Sequence, residues 1–370
     1  MRILVLFGGE SVEHEISVIT ANQVMNALSV GYTVIPAYIS KENKIYYLNE
    51  LKDLETYKNI KKILKKKHEV KIEKDNKKCY LKRKLKKKVY FDMAFPIVHG
   101  KGMEDGTLLS YLKFKKIPVI SDSLSFYSLA QNKSLTKRVL NSLNINNSKF
   151  VEINKDDDLK EIDKMNYPLI VKPNTLGSSI GIKKVNNKEE LEEAIKVAFE
   201  YDKNVLVEEY LNEAKEYNIS VVEKNGEILT SSIEEVLSNK DILDYSQKYE
   251  GGEKVNGMVS SKRIFPCIMD DKIKEEMEKT AKIIYKSFEA KGVIRIDFLY
   301  KEKLYVNEVN AIPGSYSYYL WKDKMDFLEL LDTVIESSKR DCFYENKLLK
   351  SIDKMNIFNK INLNTNKIKG

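Results

Sequence analysis

Short apolar runs alternate with amphipathic stretches along most of the chain. Arg2 to Phe7 is almost wholly aliphatic or aromatic and stops at Gly8-Gly9. Glu15 to Leu28 follows with apolar residues at helical spacing (Ile16, Ile19, Val24, Leu28), and Tyr32 to Ile39 is a second apolar run. Strand, glycine turn, helix and strand in that order predict an α/β unit with parallel strands. Phe91–Val98 and Ile117–Ile120 read as strands on either side of a helix at Thr107–Phe114, and a helix at Ser134–Leu143 runs into the polar stretch Asn144–Ser148. A strand at Leu169–Val171, a glycine-rich turn at Gly177–Gly181, a helix at Glu189–Phe199 and a strand at Val205–Glu208 form a second block. The third block is strand-rich: Asn218–Glu223, Glu227–Glu234, Arg263–Cys267, Gly292–Tyr300 and Lys303–Val309, with a helix at Asp271–Phe288. Between Leu237 and Ser261 the chain is polar and aperiodic. A loop that long inside a compact domain is often functional. After a helix at Asp326–Ser338, the lysine- and asparagine-rich tail Arg340–Gly370 either packs as one helix or partly frays.

A chain of 370 residues is long enough for two or three domains with proper cores. No apolar run nears the ~18 residues that cross a bilayer. The apolar start, Ile3 to Phe7, is too short for a signal peptide and has no small-residue cleavage site. Cys79, Cys267 and Cys342 are scattered and lack metal-ligand spacing, so neither a disulfide framework nor a zinc site is predicted. A cytoplasmic protein with no membrane partner is the expectation. The net charge of +8 is local: Lys58 to Lys88 holds 16 Lys/Arg against 3 Asp/Glu, an excess of 13, which leaves −5 for the rest. Such a patch could hold nucleic acid. It reads equally as a solvated helix and hairpin in a lysine-rich chain, and no aromatic interleaving or nucleic-acid motif favours the first.

The strongest chemical signal is Arg295-Ile-Asp297 on one strand and Glu308-Val-Asn310 on the next. At period two each pair shares one face of its strand, and the short turn at Glu302-Lys303 makes the strands antiparallel neighbours. All four side chains can therefore converge. Two carboxylates and an amide oxygen suit Mg²⁺ bridged by phosphates, and an arginine beside them can clamp a transferring phosphoryl group. A solvated face of alternating charge is the plainer alternative, opposed by the apolar residues of the other face. Lys172-Pro-Asn-Thr-Leu-Gly177-Ser178-Ser179-Ile-Gly181 is no Walker loop, yet its glycines and serines can fold N–H and hydroxyl groups over phosphates. Gly8 to Ser17, with Glu13, His14 and Glu15, is a turn at the carboxyl end of the first strand, where ligands lie in open α/β sheets. His99-Gly-Lys-Gly-Met-Glu104-Asp105-Gly106 is another polar glycine loop at a strand end.

In this order, with a lysine-bearing segment between, the four motifs resemble the D-alanine–D-alanine ligase family of the ATP-grasp superfamily over roughly residues 1 to 340. The resemblance implies an α/β chain of three domains: residues 1–132 with the basic insertion 58–88, residues 133–208, and residues 209–340, with 341–370 as a tail. ATP would be gripped between the second and third. It implies an ATP-dependent carboxylate–amine ligase that forms a dipeptide through an acyl phosphate, D-alanyl-D-alanine for peptidoglycan above all. It also implies Mg²⁺ (Mn²⁺ as a substitute, two ions per site), small amino acid substrates and a homodimer. Glu13 matches the group that holds the first substrate's ammonium, supported by Ser178 and Tyr249; His99 lies by that pocket. Lys133, Lys172, Ser179 and Lys248 match the phosphate-binding groups, and Glu208, Glu209, Leu211 and Glu216 the adenine and ribose contacts. Asp297, Glu308 and Asn310 match the metal ligands. Arg295 and the Gly314 backbone N–H match the groups that stabilise the tetrahedral intermediate.

Three departures stand out. Asn132 replaces the usual Asp before Lys133, and Asn212–Glu216 lacks the usual glycine, which weakens Glu216 as the ribose partner. The family's Pro-Gly-Met-Thr-Ser-His-Ser-Leu becomes Pro313-Gly-Ser-Tyr-Ser-Tyr-Tyr319-Leu320-Trp321. Tyr319 thus takes the place of the serine that, with the next leucine, meets the second substrate's carboxylate. Ser317 could take over that contact, or the pocket could admit another acceptor. The alternatives are a ligase for another amino acid pair (D-Ala–D-Ser or a peptide metabolite), a non-catalytic nucleotide-binding protein, and a nucleic-acid-associated protein acting through the basic segment.

Overall fold

A strand can be apolar throughout only if both its edges are paired and both its faces covered. In the computed structural model, which describes residues 1–76, 78–84, 86–237, 254–255, 258–259 and 262–348, β1 (Arg2–Gly8) meets both conditions and is buried beyond Arg2. It pairs in parallel with β2 (Thr33–Ile39) on one side and β7 (Met93–Ile97) on the other, and β3 (Ile45–Tyr46) adds antiparallel to β2. The helix α1 (His14–Leu28) is the crossover between β1 and β2. The basic segment forms the short helix α2 (Ile60–Ile63) and the antiparallel sheet of β4 (Val70–Asp75), β5 (Lys78–Arg83) and β6 (Val89–Phe91), a helix and hairpin as the charge pattern suggests. Phe91–Val98 is not one strand. It breaks at Asp92, whose carboxylate takes the Arg2 backbone N–H at 2.7 Å and pairs with the Arg2 guanidinium. Ile117–Ile120 forms only a single parallel bridge, Val119 to Ala94.

Helices α3 (Thr107–Phe114), α4 (Leu124–Gln131) and α5 (Lys133–Ser142) lead into a second sheet, ordered β10-β9-β11-β8. Its strands are β8 (Phe150–Asn154), β9 (Leu169–Pro173), β10 (Lys183–Val185) and β11 (Asn204–Glu209), covered by α6 (Lys188–Ala198). α4 and β8 escape the hydropathy pattern, α4 for want of clear periodicity and β8 because an edge strand carries little of it. Asn132 serves as the N-cap of α5, its Oδ1 accepting from Leu135 N at 3.0 Å. Asn caps a helix as well as Asp does, so that departure leaves Lys133 in place.

The largest sheet is antiparallel, ordered β17-β14-β12-β18-β19 with β13 also on β12. It comprises β12 (Lys215–Lys224), β13 (Glu227–Thr230), β14 (Glu234–Leu237), β17 (Lys262–Ile264), β18 (Ile294–Lys301) and β19 (Lys303–Asn310); a small ribbon, β15 (Lys254–Val255) with β16 (Met258–Val259), stands apart. Glu227–Glu234, which reads as one strand, is two, because Ser231 turns its Oγ to the Ser220 N–H at 2.8 Å and breaks the ladder. Helix α7 (Asp271–Ser287) covers one face of this sheet through Met277, Ala281 and Ile284. The last helix, α8 (Phe327–Lys347), extends nine residues past Ser338 and packs Leu330, Leu331 and Val334 into the core beneath β1 and α1. Among the described residues no helix is long and apolar enough to cross a membrane.

Asp122 ties the first sheet's surroundings to the third. Its buried carboxylate accepts the Lys291 and Gly292 backbone N–H groups just ahead of β18, and a Cβ on Gly292 would collide with it. Burial raises the Asp122 carboxyl to about 6, against the pull of those two N–H groups. Asp122→Ala, which strands both donors, should lower stability by about 1–3 kcal/mol in urea denaturation. A carboxyl whose folded pKa exceeds its unfolded value of about 4 gives stability that is present below pH ~4 and lost as pH rises past about 6. Asp122→Asn has nothing to ionise, so its stability relative to the parent should improve between pH 5 and pH 8; a difference independent of pH would contradict that origin.

Candidate active site

One face of the third sheet forms the floor of a cavity of about 430 Å³. The strand register builds it. β18 and β19 set Asp297 opposite Glu308 and Arg295 opposite Asn310, and β12 sets Asn218 opposite both Asp297 and Glu234. Arg263 on β17 stands opposite Val236, so it shares that face. The convergence expected of the four residues from period-two spacing is present. The Arg295 guanidinium binds Asp297 with two bonds, Nε to Oδ1 at 2.6 Å and Nη2 to Oδ2 at 2.8 Å. Asn310 Nδ2 donates to Asp297 Oδ2 at 3.1 Å.

The second sheet and α5 supply one wall. Lys133 opens α5, donates through Nζ to the Leu176 carbonyl at 2.7 Å and pairs with Glu308 Oε1 at 3.1 Å. Lys172 on β9 lies 2.7 Å from Glu208 Oε1 on the neighbouring strand β11. That approach is off the line of a hydrogen bond, so the buried Oε1 stays without a hydrogen-bond partner, while Oε2 accepts from Ser148 at 2.8 Å. Lys137, one helical turn after Lys133, reaches the same carboxylate at 3.4 Å and Ser148 at 2.9 Å. Burial would raise Glu208, but Lys137 and Lys172 outweigh it and bring the carboxyl down to about 2. Burial takes Lys137 down to about 8, with Glu208 opposing. Two ammonium groups on one carboxylate leave a positive excess here, matched to an anion. Glu209, Leu211 and Glu216 also line the cavity.

The first sheet supplies the opposite wall. Glu13, at the start of α1, accepts a hydrogen bond from Ser178 Oγ. Gly177 packs so tightly on that carboxylate that a Cβ would lie 2.8 Å from Oε1. Ser178 and Ser179 follow with φ of 57° and 59°, a left-handed turn that brings both hydroxyl-bearing residues to the cavity. Glu104 straps this wall to the floor. One of its oxygens takes the Gly100 N–H and the other the Ile312 N–H at 3.1 Å, which fixes the loop that ends at Gly314. Burial and then the neighbouring Glu13 raise Glu104 to about 8, and burial also raises Glu13. His99 is buried beside them; burial and Arg295 lower it to about 4, so it is a neutral imidazole near pH 7.

Thus Glu13, His99, Lys133, Lys172, Ser178, Ser179, Arg295 and Gly314 meet around one cavity with Asp297, Glu308 and Asn310. Lys248 and Tyr249 lie outside the described residues. The acceptor-side candidates differ. Ser315, Tyr316 and Ser317 run through three left-handed residues, φ 53°, 51° and 53°, which turns Tyr316 onto Phe95 and buries Ser317 completely. Ser317 and Leu320 are fully buried and are not among the residues that line the cavity. Tyr319 does not line it either: its hydroxyl donates to Glu234 Oε1 at 2.9 Å. Sequence reasoning missed Glu104, Lys137 and Arg263. Glu104 lies in a motif it singled out, and Lys137 has the i,i+4 spacing from Lys133 as a signal. Arg263 has none, since only tertiary pairing brings β17 to this floor.

Residues 2–121 match the family described as D-ala D-ala ligase N-terminus, and residues 137–336 the one described as D-ala D-ala ligase C-terminus. A D-alanine–D-alanine ligase of Thermosipho melanesiensis is 36% identical over 360 residues, covering 95% of this chain and 97% of its own. Among solved structures, a D-alanine–D-alanine ligase from Helicobacter pylori superposes with a TM-score of 0.74 at 28% identity, over 91% of this chain and 98% of that one. The VanG D-Ala:D-Ser ligase from Enterococcus faecalis does so with a TM-score of 0.76 at 29% identity, over 91% and 99%. With its ATP-grasp architecture and matching halves, the chain belongs to the D-alanine–D-alanine ligase family.

Proposed function

We propose that this chain is an ATP-dependent ligase that joins two D-alanine molecules for peptidoglycan synthesis, acting as a homodimer built from the three domains 1–132, 133–208 and 209–340. One observation carries the reading. The register that sets Asp297 against Glu308 and Arg295 against Asn310 faces Glu13 across a single cavity. In the first step a carboxylate oxygen of the donor attacks the γ-phosphorus of ATP, and ADP leaves. The acceptor's amine then attacks the acyl carbon, and the tetrahedral adduct expels phosphate as the peptide bond forms. Glu13 takes the donor's ammonium, which restores the charge that burial disfavours. Lys133 and Lys172 exchange their carboxylate partners for phosphate oxygens. Ser179 and Lys248 add to that phosphate grip. Glu208 Oε1, which makes no hydrogen bond beside its ion pair with Lys172, suits the adenine amino group, with Glu209, Leu211 and Glu216 along the base and ribose. Arg295 and the Gly314 N–H stabilise the oxyanion of the adduct. We assign Tyr249 to closing over the donor with Ser178, and neutral His99 to hydrogen bonding beside it.

The donor set of Asp297, Glu308 and Asn310 fits Mg²⁺, or Mn²⁺ in its place. Such an ion takes one or two protein carboxylates and completes its shell with phosphate oxygens and water. Asn310 uses its amide nitrogen on Asp297, so its oxygen remains to ligate. Bound there, the ions would neutralise phosphate charge. A different acceptor amino acid is the second reading, favoured by the replacement at Tyr319.

Glu308→Gln should cut ATP-dependent dipeptide formation by roughly 100-fold or more with the circular dichroism spectrum unchanged. Near-normal turnover at low Mg²⁺ would refute its ligand role. Glu13→Gln should raise the Michaelis constant for the first D-alanine by roughly 10- to 100-fold and leave that for ATP nearly unchanged. Equal effects on both constants would refute the ammonium assignment.

A further inference from the structure

An acceptor amino acid attacks through its free amine but still carries its own carboxylate. Inside a cavity with restricted water, that charge needs a cation or several N–H donors. Four Lys and Arg side chains line the cavity among the described residues: Lys133, Lys172, Arg263 and Arg295. The lysines pair with Glu308 and Glu208 on the nucleotide side. Arg295 binds Asp297 through both Nε and Nη2. Arg263 meets Glu234 through Nη1, at 3.1 and 3.3 Å, with Tyr319 beside it, and its side chain keeps 37% of its surface.

Resting on the ligase reading above, we propose that Arg263 anchors the carboxylate of the acceptor amino acid and that Tyr319 positions it through Glu234. Guanidinium is the side chain best shaped to hold a carboxylate by two parallel bonds. Arg263 is near enough to Arg295 for the two charges to repel. An anion between them relieves that repulsion and lies beside the arginine assigned to the reacting centre. Glu234 makes the anchor rigid. It is 1% exposed, and its carboxylate also accepts from Asn218 Nδ2 at 2.8 Å and from the Tyr319 hydroxyl at 2.9 Å. The Arg263 guanidinium lies 5.6 Å from the centre of the Tyr319 ring, within cation–π range. The tyrosine that displaces a small hydroxyl therefore acts as a brace, and the arginine takes the anion.

The test is steady-state phosphate release by the full chain with ATP and D-alanine, comparing Arg263→Met, Arg263→Lys and Tyr319→Phe. Arg263→Met should raise the acceptor-site Michaelis constant by roughly 10- to 100-fold and move the donor-site constant less than about 3-fold. Arg263→Lys should keep part of the affinity. D-Alaninamide, an acceptor without the negative charge, should be much poorer than D-alanine for the parent and nearly equal to it for Arg263→Met. Tyr319→Phe should raise the acceptor constant to a lesser degree and add little in the double variant, since it acts through Arg263. An unchanged acceptor constant in Arg263→Met, donor and acceptor constants rising together, or retained discrimination against the amide would each overturn the inference. If the parent chain itself releases no phosphate with any D-amino acid, the ligase reading fails, and the inference with it.

Discussion

Charges taken out of water must be paired, and among the described residues five ion pairs gather around this cavity: Lys133 with Glu308, Lys172 and Lys137 with Glu208, Arg295 with Asp297, and Arg263 with Glu234. Desolvation and attraction nearly cancel in such pairs, so they add little net stability, whereas removing one partner is costly. That balance suits a binding site. An incoming phosphate can replace Glu308 or Glu208 as the partner of a lysine with little change in free energy, because one anion substitutes for another. The pairing is also uneven in a useful way. Around Glu208 there are two ammonium groups for one carboxylate, while around Glu13 and Glu104 there are two carboxyls whose charge burial opposes. One end of the cavity is therefore short of an anion and the other short of a cation, which is the charge pattern of a nucleotide facing an amino acid's ammonium.

The backbone explains how side chains from residue 13 to residue 310 reach one volume. β1 is buried on both faces, so its ligand-bearing turn must project from its carboxyl end. The floor needs flat alternation instead, and an antiparallel hairpin with Glu302 at φ 59° gives the register in which like-facing residues meet. Between these two, Glu104 and Asp122 act at loop ends, each using carboxylate oxygens to hold backbone N–H groups of the chain that flanks β18 and β19. Buried backbone donors need such partners, and acidic side chains serve here as covalent-length spacers between the sheets.

How far the sequence could be read follows from the same distinction. Arg295, Asp297, Glu308 and Asn310 were legible because period-two alternation and a short turn are local properties. The α/β unit of β1, α1 and β2 was legible because strand burial and helical spacing both write themselves into hydropathy. α4 and β8 were not, since neither carries a strong periodic signal, and the breaks at Asp92 and Ser231 depend on partners 90 and 11 residues away. The burial of Ser317 was not legible for the same reason. Nothing local in Ser-Tyr-Ser-Tyr-Tyr foretells three consecutive left-handed residues, a conformation disfavoured for side chains other than glycine.

What compensates that backbone strain explains the altered segment as a whole. Tyr316 packs edge-on against Phe95, Ser315 N–H donates to Thr20 Oγ1 at 3.1 Å, and Trp321 is fully buried with its Nε1 on Ser220 Oγ at 2.9 Å. Each of these contacts reaches a different element, α1, β7 or β12, so the loop is pinned between the first and third sheets. Aromatic bulk here is structural at Tyr316 and Trp321, where the rings are in the core. Tyr319 alone points its polar atom at the charged floor, onto a carboxylate that also holds an arginine. The replacement of a small hydroxyl by tyrosine therefore does more than fill space: it moves the polar recognition group off the loop and onto the sheet, where the hydrogen-bonded ladder of β12, β14 and β17 holds it more firmly than a loop could.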